Sequence, residues 1–211
     1  MTKSELTKDA KPILFNTKMV RAILDGRKTQ TRRIIKKLPE NTYRIEHVDE
    51  NLWEVSYGVS GNSICMDFYE KIKPPYKIGQ VLYVRETWMN PCRDYCRKND
   101  ECDGCIYGRG YRYKADYRIK TDFEKWHPSI HMTKETARIF LKVTDIRVER
   151  LQDITVDGAL KEGADISEGF KDFIKIWNST IKKSDLDRYG WEANPWVWAV
   201  DFEKVEADTK C

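Results

Sequence analysis

Apolar positions along this chain follow two rhythms. In "PILFNTKMVRAILDGRKTQTRR" a short run from Pro12 to Phe15 reads as a strand. Met19, Val20, Ile23 and Leu24 then recur on one helical face. Asn16 or Thr17 can cap that helix, and Gly26 sits where a C-terminal cap belongs. From about Leu38 to Pro75 the pattern weakens, predicting irregular chain with weak strands at "YRIEHV" and "LWEVSYG". "KIGQVLYVRETW" predicts a turn at Gly79 and a strand with apolar alternation. "ARIFLKVTDIRVERL", residues 137–151, is a long β-rich run. "DITVDGALKEGAD" predicts a short helix that Asp153 or Thr155 can cap and Gly163 closes. "GFKDFIKIWNST" is an amphipathic helix with Phe170, Phe173, Ile174 and Trp177 at helical spacing, and "NPWVWAVDFEKV" is the last strand.

The order strand, helix, strands, helix, helix, strand lacks the regular alternation of a doubly wound parallel sheet. It predicts an α+β fold, a small mixed β-barrel with packed helices. There is no internal repeat and no low-complexity linker. The expected organisation is a flexible tail over 1–10, a single domain over 11–204 with a cysteine-rich insertion at about 90–110, and a second tail over 205–211. With 211 residues the chain is long enough to bury a core. Seven Trp and eleven Tyr argue against disorder. A net charge of +4 does not by itself point to nucleic acid, so the clustering of basic residues has to decide. No apolar run approaches a membrane span and the first residues lack a signal-peptide core, so the expected location is cytoplasmic.

A reducing compartment gives the cysteines their meaning. "PCRDYCRKNDECDGC" holds Cys92, Cys96, Cys102 and Cys105 with spacing C-x3-C-x5-C-x2-C. Four thiolates so close fit a closed, structural Zn2+ site that would staple a loop too polar to fold on its own contacts. Free or disulfide-bonded cysteines are the alternative. Cys65 and Cys211 are isolated and read as a core thiol and a tail thiol.

The densest basic segment is Arg27, Lys28, Arg32, Arg33, Lys36 and Lys37, directly after the helix end. It is either a solvated face or a place for phosphates. Gly26, Lys28, Thr31 and Arg33 spell G-x-K-x-x-T-x-R. This resembles the G-x-K-x-x-E-x-R signature of the ASCH domain, a PUA-like β-barrel family linked to RNA. "GQVLYVRETW", "PSIHM", "RVERLQDIT", "ALKEGA" and "NPWVWAVDFE" extend the likeness over about residues 11–203, to ASCH proteins carried by bacteriophages and prophages. The cysteine-rich insertion is similar to that subgroup's.

One small bacterial ASCH enzyme removes the acetyl group from N(4)-acetylcytidine, and its motif carries threonine in the same place. The resemblance implies that Lys28 acts as base, Thr31 as nucleophile and Glu162 as acid. A threonine hydroxyl needs such a base. A carboxyl at a helix C-terminus meets the negative end of the macrodipole, which suits a proton donor. Lys28 and Thr31 are three apart, so a turn past Gly26 is needed before both can face one ligand. Nucleotide contacts are expected from Gly26, Arg32, Arg33, Arg85 and Trp196. Arg85 and Glu86 form either a ligand-orienting pair or an ordinary ion pair. His131 lines a pocket or is structural, and Trp191, Trp196 and Trp198 stack on bases or pack in the core. The expected partner is a nucleotide, RNA or a modified nucleic-acid base. The activities in view are an amidohydrolase, a non-catalytic reader, a ribonuclease, and a phage factor binding a host protein.

Overall fold

The structure, a computed structural model, describes residues 2–49, 51–61, 64–91, 94, 110–117 and 125–206. The strands described are β1 (Lys11–Leu14), β2 (Gln30–Ile34), β3 (Thr42–Asp49), β4 (Leu52–Gly61), β5 (Ile64–Ile72), β6 (Val81–Arg85), β7 (Trp88–Met89), β8 (Arg112–Tyr113), β9 (Phe140–Arg150) and β10 (Trp196–Val205). The helices are α1 (Lys3–Thr7), α2 (Thr17–Leu24), α3 (Val156–Lys161), α4 (Lys171–Ser179) and α5 (Leu186–Tyr189). This is a mixed α+β protein. Among the described residues every strand order runs from edge to edge and none closes into a barrel. No helix among them is long and apolar enough to cross a membrane.

The chain divides into two compact units, the first drawn from Met1–Lys28, Gln80–Lys142 and Glu203–Cys211, the second from Thr29–Gly79 and Val143–Phe202. In the first, β1 runs parallel to β6 with Ile13 opposite Val84, and β6 is antiparallel to the start of β9 with Leu82 opposite Leu141. These four positions are apolar because they share the one buried face of the pairing, while the residues between them in β1 and β6 are exposed or half-buried. Asn16 caps α2 by accepting from the Met19 amide at 2.9 Å. The helix buries Val20, Ala22 and Ile23, whereas Leu24 stays exposed. Residues 3–7 differ from the expected flexible tail. Thr2 and Glu5 form a capping box at the start of α1, and Leu6 is buried in a cluster with Trp88, Met132, Ala137 and Phe140.

In the second unit β2 pairs antiparallel with β10, Arg33 opposite Trp198 and Gln30 opposite Asp201. One face of this ribbon carries Gln30, Arg32 and Ile34 beside Val197, Ala199 and Asp201, and the other carries Thr31 and Arg33 beside Trp198 and Val200. Val197 packs with Leu151, Ile154, Ala159, Phe173 and Trp177, so α3 and α4 cover the first face. Thr155, not Asp153, caps α3, accepting from the Gly158 amide at 3.0 Å. The two weak strands expected at "YRIEHV" and "LWEVSYG" are β3 and β4, and the stretch is not irregular but a meander, with β4 antiparallel to both β3 and the unexpected β5. Trp53 and Val55 of β4 are buried, and Trp53 meets Trp198 edge-on at 4.9 Å between centroids.

Candidate functional site

In the first unit the chain turns back on the end of α2. The Ala22 carbonyl accepts from the amides of both Arg27 and Lys28 at 2.9 Å, and Gly26 takes the left-handed φ of +74° that this reversal needs. The turn carries the Lys28 side chain inward. It is only 2% exposed, and Nζ stands 5.5 Å from the centroid of the Phe15 ring. Lysine is among the residues least often buried to this degree. Arg27 beside it is exposed and pairs with Asp25.

Arg85 closes β6, where its carbonyl accepts from the Phe15 amide. Its guanidinium Nε is buried without a hydrogen-bond partner among the described residues. The expected pair with Glu86 does not form, because neighbours in a strand point to opposite faces. Glu86 instead accepts from Arg138 at 2.9 and 3.1 Å, and Arg138 also reaches both oxygens of Asp116 at 2.8 and 2.9 Å. Burial pushes the Glu86 carboxyl above its usual value, against the opposing pull of the Arg138 hydrogen bonds and charge. The same guanidinium lies 4.0 Å from the Tyr113 ring centroid. Burial raises Tyr113 to about 12, so its hydroxyl keeps its proton and donates to the Thr136 carbonyl at 2.7 Å. Arg138 and Asp116 escaped the sequence reading. The available signal was an arginine set among the apolar residues of "ARIFLKV". His131 is exposed.

In the second unit β2 separates the basic segment into two kinds of residue. Arg32 is buried on the helix-covered face. Its Nε donates to Glu149 at 2.7 Å, and its Nη1 donates to Gln30 at 2.8 Å and to Glu162 at 3.3 Å. Gln30 donates onward to Asp201, which also binds Arg147. Arg32 was expected at a nucleotide. Its donors are instead engaged by the protein's own acceptors, which makes it the centre of a buried polar network. Glu162 is the residue after α3, as expected, and is buried. An ideal Cβ on Gly158 would stand 3.1 Å from Arg32 Nη2, so a residue without a side chain lets α3 lie this close to the guanidinium.

Thr31, 3% exposed, lies on the opposite face of β2 together with Arg33. Arg33 is half-buried, and its charge acts on Tyr76, whose hydroxyl burial pushes above its usual value while Arg33 pulls it down. Lys36 and Lys37 are exposed. Trp196 is engaged by Arg150, whose guanidinium stacks 4.3 Å from the ring centroid. Trp191 packs on Phe170 and Phe173. Thr31 and Arg33 are thus brought together on one strand face, and Arg32 and Glu162 on the other.

The four cysteines Cys92, Cys96, Cys102 and Cys105 lie outside the described residues, as does Cys211. Among the described residues no group of three or more His, Cys, Asp or Glu could hold a metal ion. Comparison with protein-family models, with curated proteins and with solved structures finds no match to this chain.

Proposed function

We propose that this chain is an ASCH-type, PUA-like protein that takes a nucleotide or modified base at the segment Gly26–Arg33 and hydrolyses the acyl amide of an N(4)-acylated cytidine. The observation that carries this reading is the burial of both Lys28 and Thr31 within the G-x-K-x-x-T-x-R motif. Burial is the condition under which a lysine gives up its proton and serves as a base. Thr31 Oγ would attack the amide carbonyl while Lys28 takes the hydroxyl proton. The cytosine amine would leave with a proton from Glu162, and water would release the acyl group from the threonine ester. Where the cytidine is part of a nucleotide, Arg33, on the face of Thr31, would meet its phosphate.

A second reading, binding without chemistry, is favoured by one observation. Glu162 is bonded to Arg32, and the alternation of β2 directs Arg32 and Thr31 to opposite faces. The test is a chromatographic assay of N(4)-acetylcytidine and bulkier acylcytidines with wild type, Lys28→Ala and Thr31→Ala. The hydrolase converts substrate, and both variants fall to the same floor because the two residues act as a unit. No conversion by wild type overturns hydrolysis of free nucleosides. A reader loses affinity with Lys28→Ala, tolerates Thr31→Ser, and binds more weakly as salt rises. The structural Zn2+ proposed for Cys92, Cys96, Cys102 and Cys105 rests on their spacing. Metal analysis of wild type against Cys92→Ser/Cys96→Ser tests it.

A further inference from the structure

The meander of the second unit has two edges, and they differ. β3 pairs with β4 through two register shifts, between Thr42 and Arg44 and between His47 and Asp49. Such irregularities twist an edge and spoil it as a template for another strand. β5 pairs with β4 over nine consecutive residues, Ile64 to Ile72, without a shift. Among the described residues nothing pairs with its outer edge. Residues 67–71 are all exposed, Tyr69 at 64% and Phe68 at 39%. The strand carries no proline. A regular, exposed, aromatic edge is what soluble proteins avoid unless something pairs with it.

The order of side chains on β5 says what fits. Antiparallel pairing with a second copy about a two-fold axis at Tyr69 sets Asp67 of each strand opposite Lys71 of the other. The two tyrosines meet at the axis, on the same face as both ion pairs. Asp67 and Lys71 form no ion pair within the chain among the described residues, so both charges are available. On the face of Asp67, Tyr69 and Lys71 the strand is therefore self-complementary when reversed, while Phe68 lies opposite Glu70 on the other face.

We propose that β5 is a homodimerisation edge, joining two copies of this chain into a continuous six-stranded antiparallel sheet through their meanders. Pairing of one strand from each copy makes a small interface, so the dimer is concentration-dependent rather than obligate. The test is sedimentation velocity of the full chain across a wide concentration range. Wild type dimerises. Asp67→Lys places like charges opposite each other twice and weakens the dimer by about tenfold to a hundredfold, from two cross-strand pairs changing sign. The swapped double variant Asp67→Lys/Lys71→Asp restores it. Both side chains are exposed, but Lys71 stands opposite Glu54 of β4, so circular dichroism and thermal denaturation of each variant, the double swap above all, establish that the meander stays folded. A wild type that stays monomeric at all concentrations overturns the proposal. So does a dimer that Asp67→Lys leaves intact, or one that the double swap fails to restore.

Discussion

Arg32→Met separates a structural arginine from a ligand-binding one. The Arg32 side chain is 2% exposed and donates to Glu149, Gln30 and Glu162. Methionine keeps much of the stem volume and the contact with the Phe173 ring, 5.9 Å from the guanidinium. What is lost is the charge facing two carboxylates. Removing one partner of a buried ion pair costs about 3–5 kcal/mol. With a urea dependence of about 2 kcal/mol/M, the unfolding midpoint falls by about 2 M. Tryptophan fluorescence reads this well, because Trp53, Trp177, Trp191, Trp196 and Trp198 all lie in the second unit. Glu149→Gln costs less, about 1 kcal/mol, because that carboxylate is partly open to water. An Arg32→Met protein within about 0.5 kcal/mol of wild type would refute this account, since that is the ordinary range for a surface substitution. Arg32 would then return to the nucleotide-binding set.

Gly158→Ala gains about 1 kcal/mol of helix propensity in α3 but forces its Cβ against an Arg32 guanidinium that three acceptors hold in place. The expected net effect is destabilising by about 1 kcal/mol and smaller in an Arg32→Met background, where Ile154 Cγ1 at 3.2 Å and Thr155 Oγ1 at 3.3 Å still crowd the new Cβ; additivity across that double-mutant cycle would disprove the crowding by Arg32. Glu86 is held above its ordinary 4.5 by burial, so the folded state binds the proton more tightly than the unfolded one. That contribution is complete below about 4.5 and is lost as pH rises through the folded value. Thermal denaturation from pH 4 to 7 therefore shows a stability decline that Glu86→Gln flattens, and equal slopes for the two proteins would count against the assignment.

Where a side chain met an apolar interior on one side and water on the other, its element could be read from the residue pattern. The cap at Asn16, the face of Val20 and Ile23, and the reversal at Gly26 are of that kind. β5 was not, because residues 67–71 are exposed on both faces and the strand shows no period of two. The basic segment misled for the opposite reason. A run of charges reads as one surface patch, facing either water or phosphates, yet β2 pairing sends Arg32 into a buried network while Lys36 and Lys37 are exposed. The acceptors that neutralise Arg32 come from β9 and from the end of α3, more than a hundred residues away in sequence. No local pattern announces them. The motif Lys28 and Thr31 were legible as residues, and their burial only from the structure.

The discontinuity of the two units bears on how the chain is made. Each unit is assembled from segments separated by the other, and β10 ends the second unit at Phe202 and re-enters the first at Glu203. During synthesis neither unit can complete itself until this late strand has left the ribosome. β2 must therefore wait unpaired until its partner β10 has been made. Contacts this distant in sequence fold slowly. The exposed strand edges and apolar surface they leave waiting are what chaperones recognise.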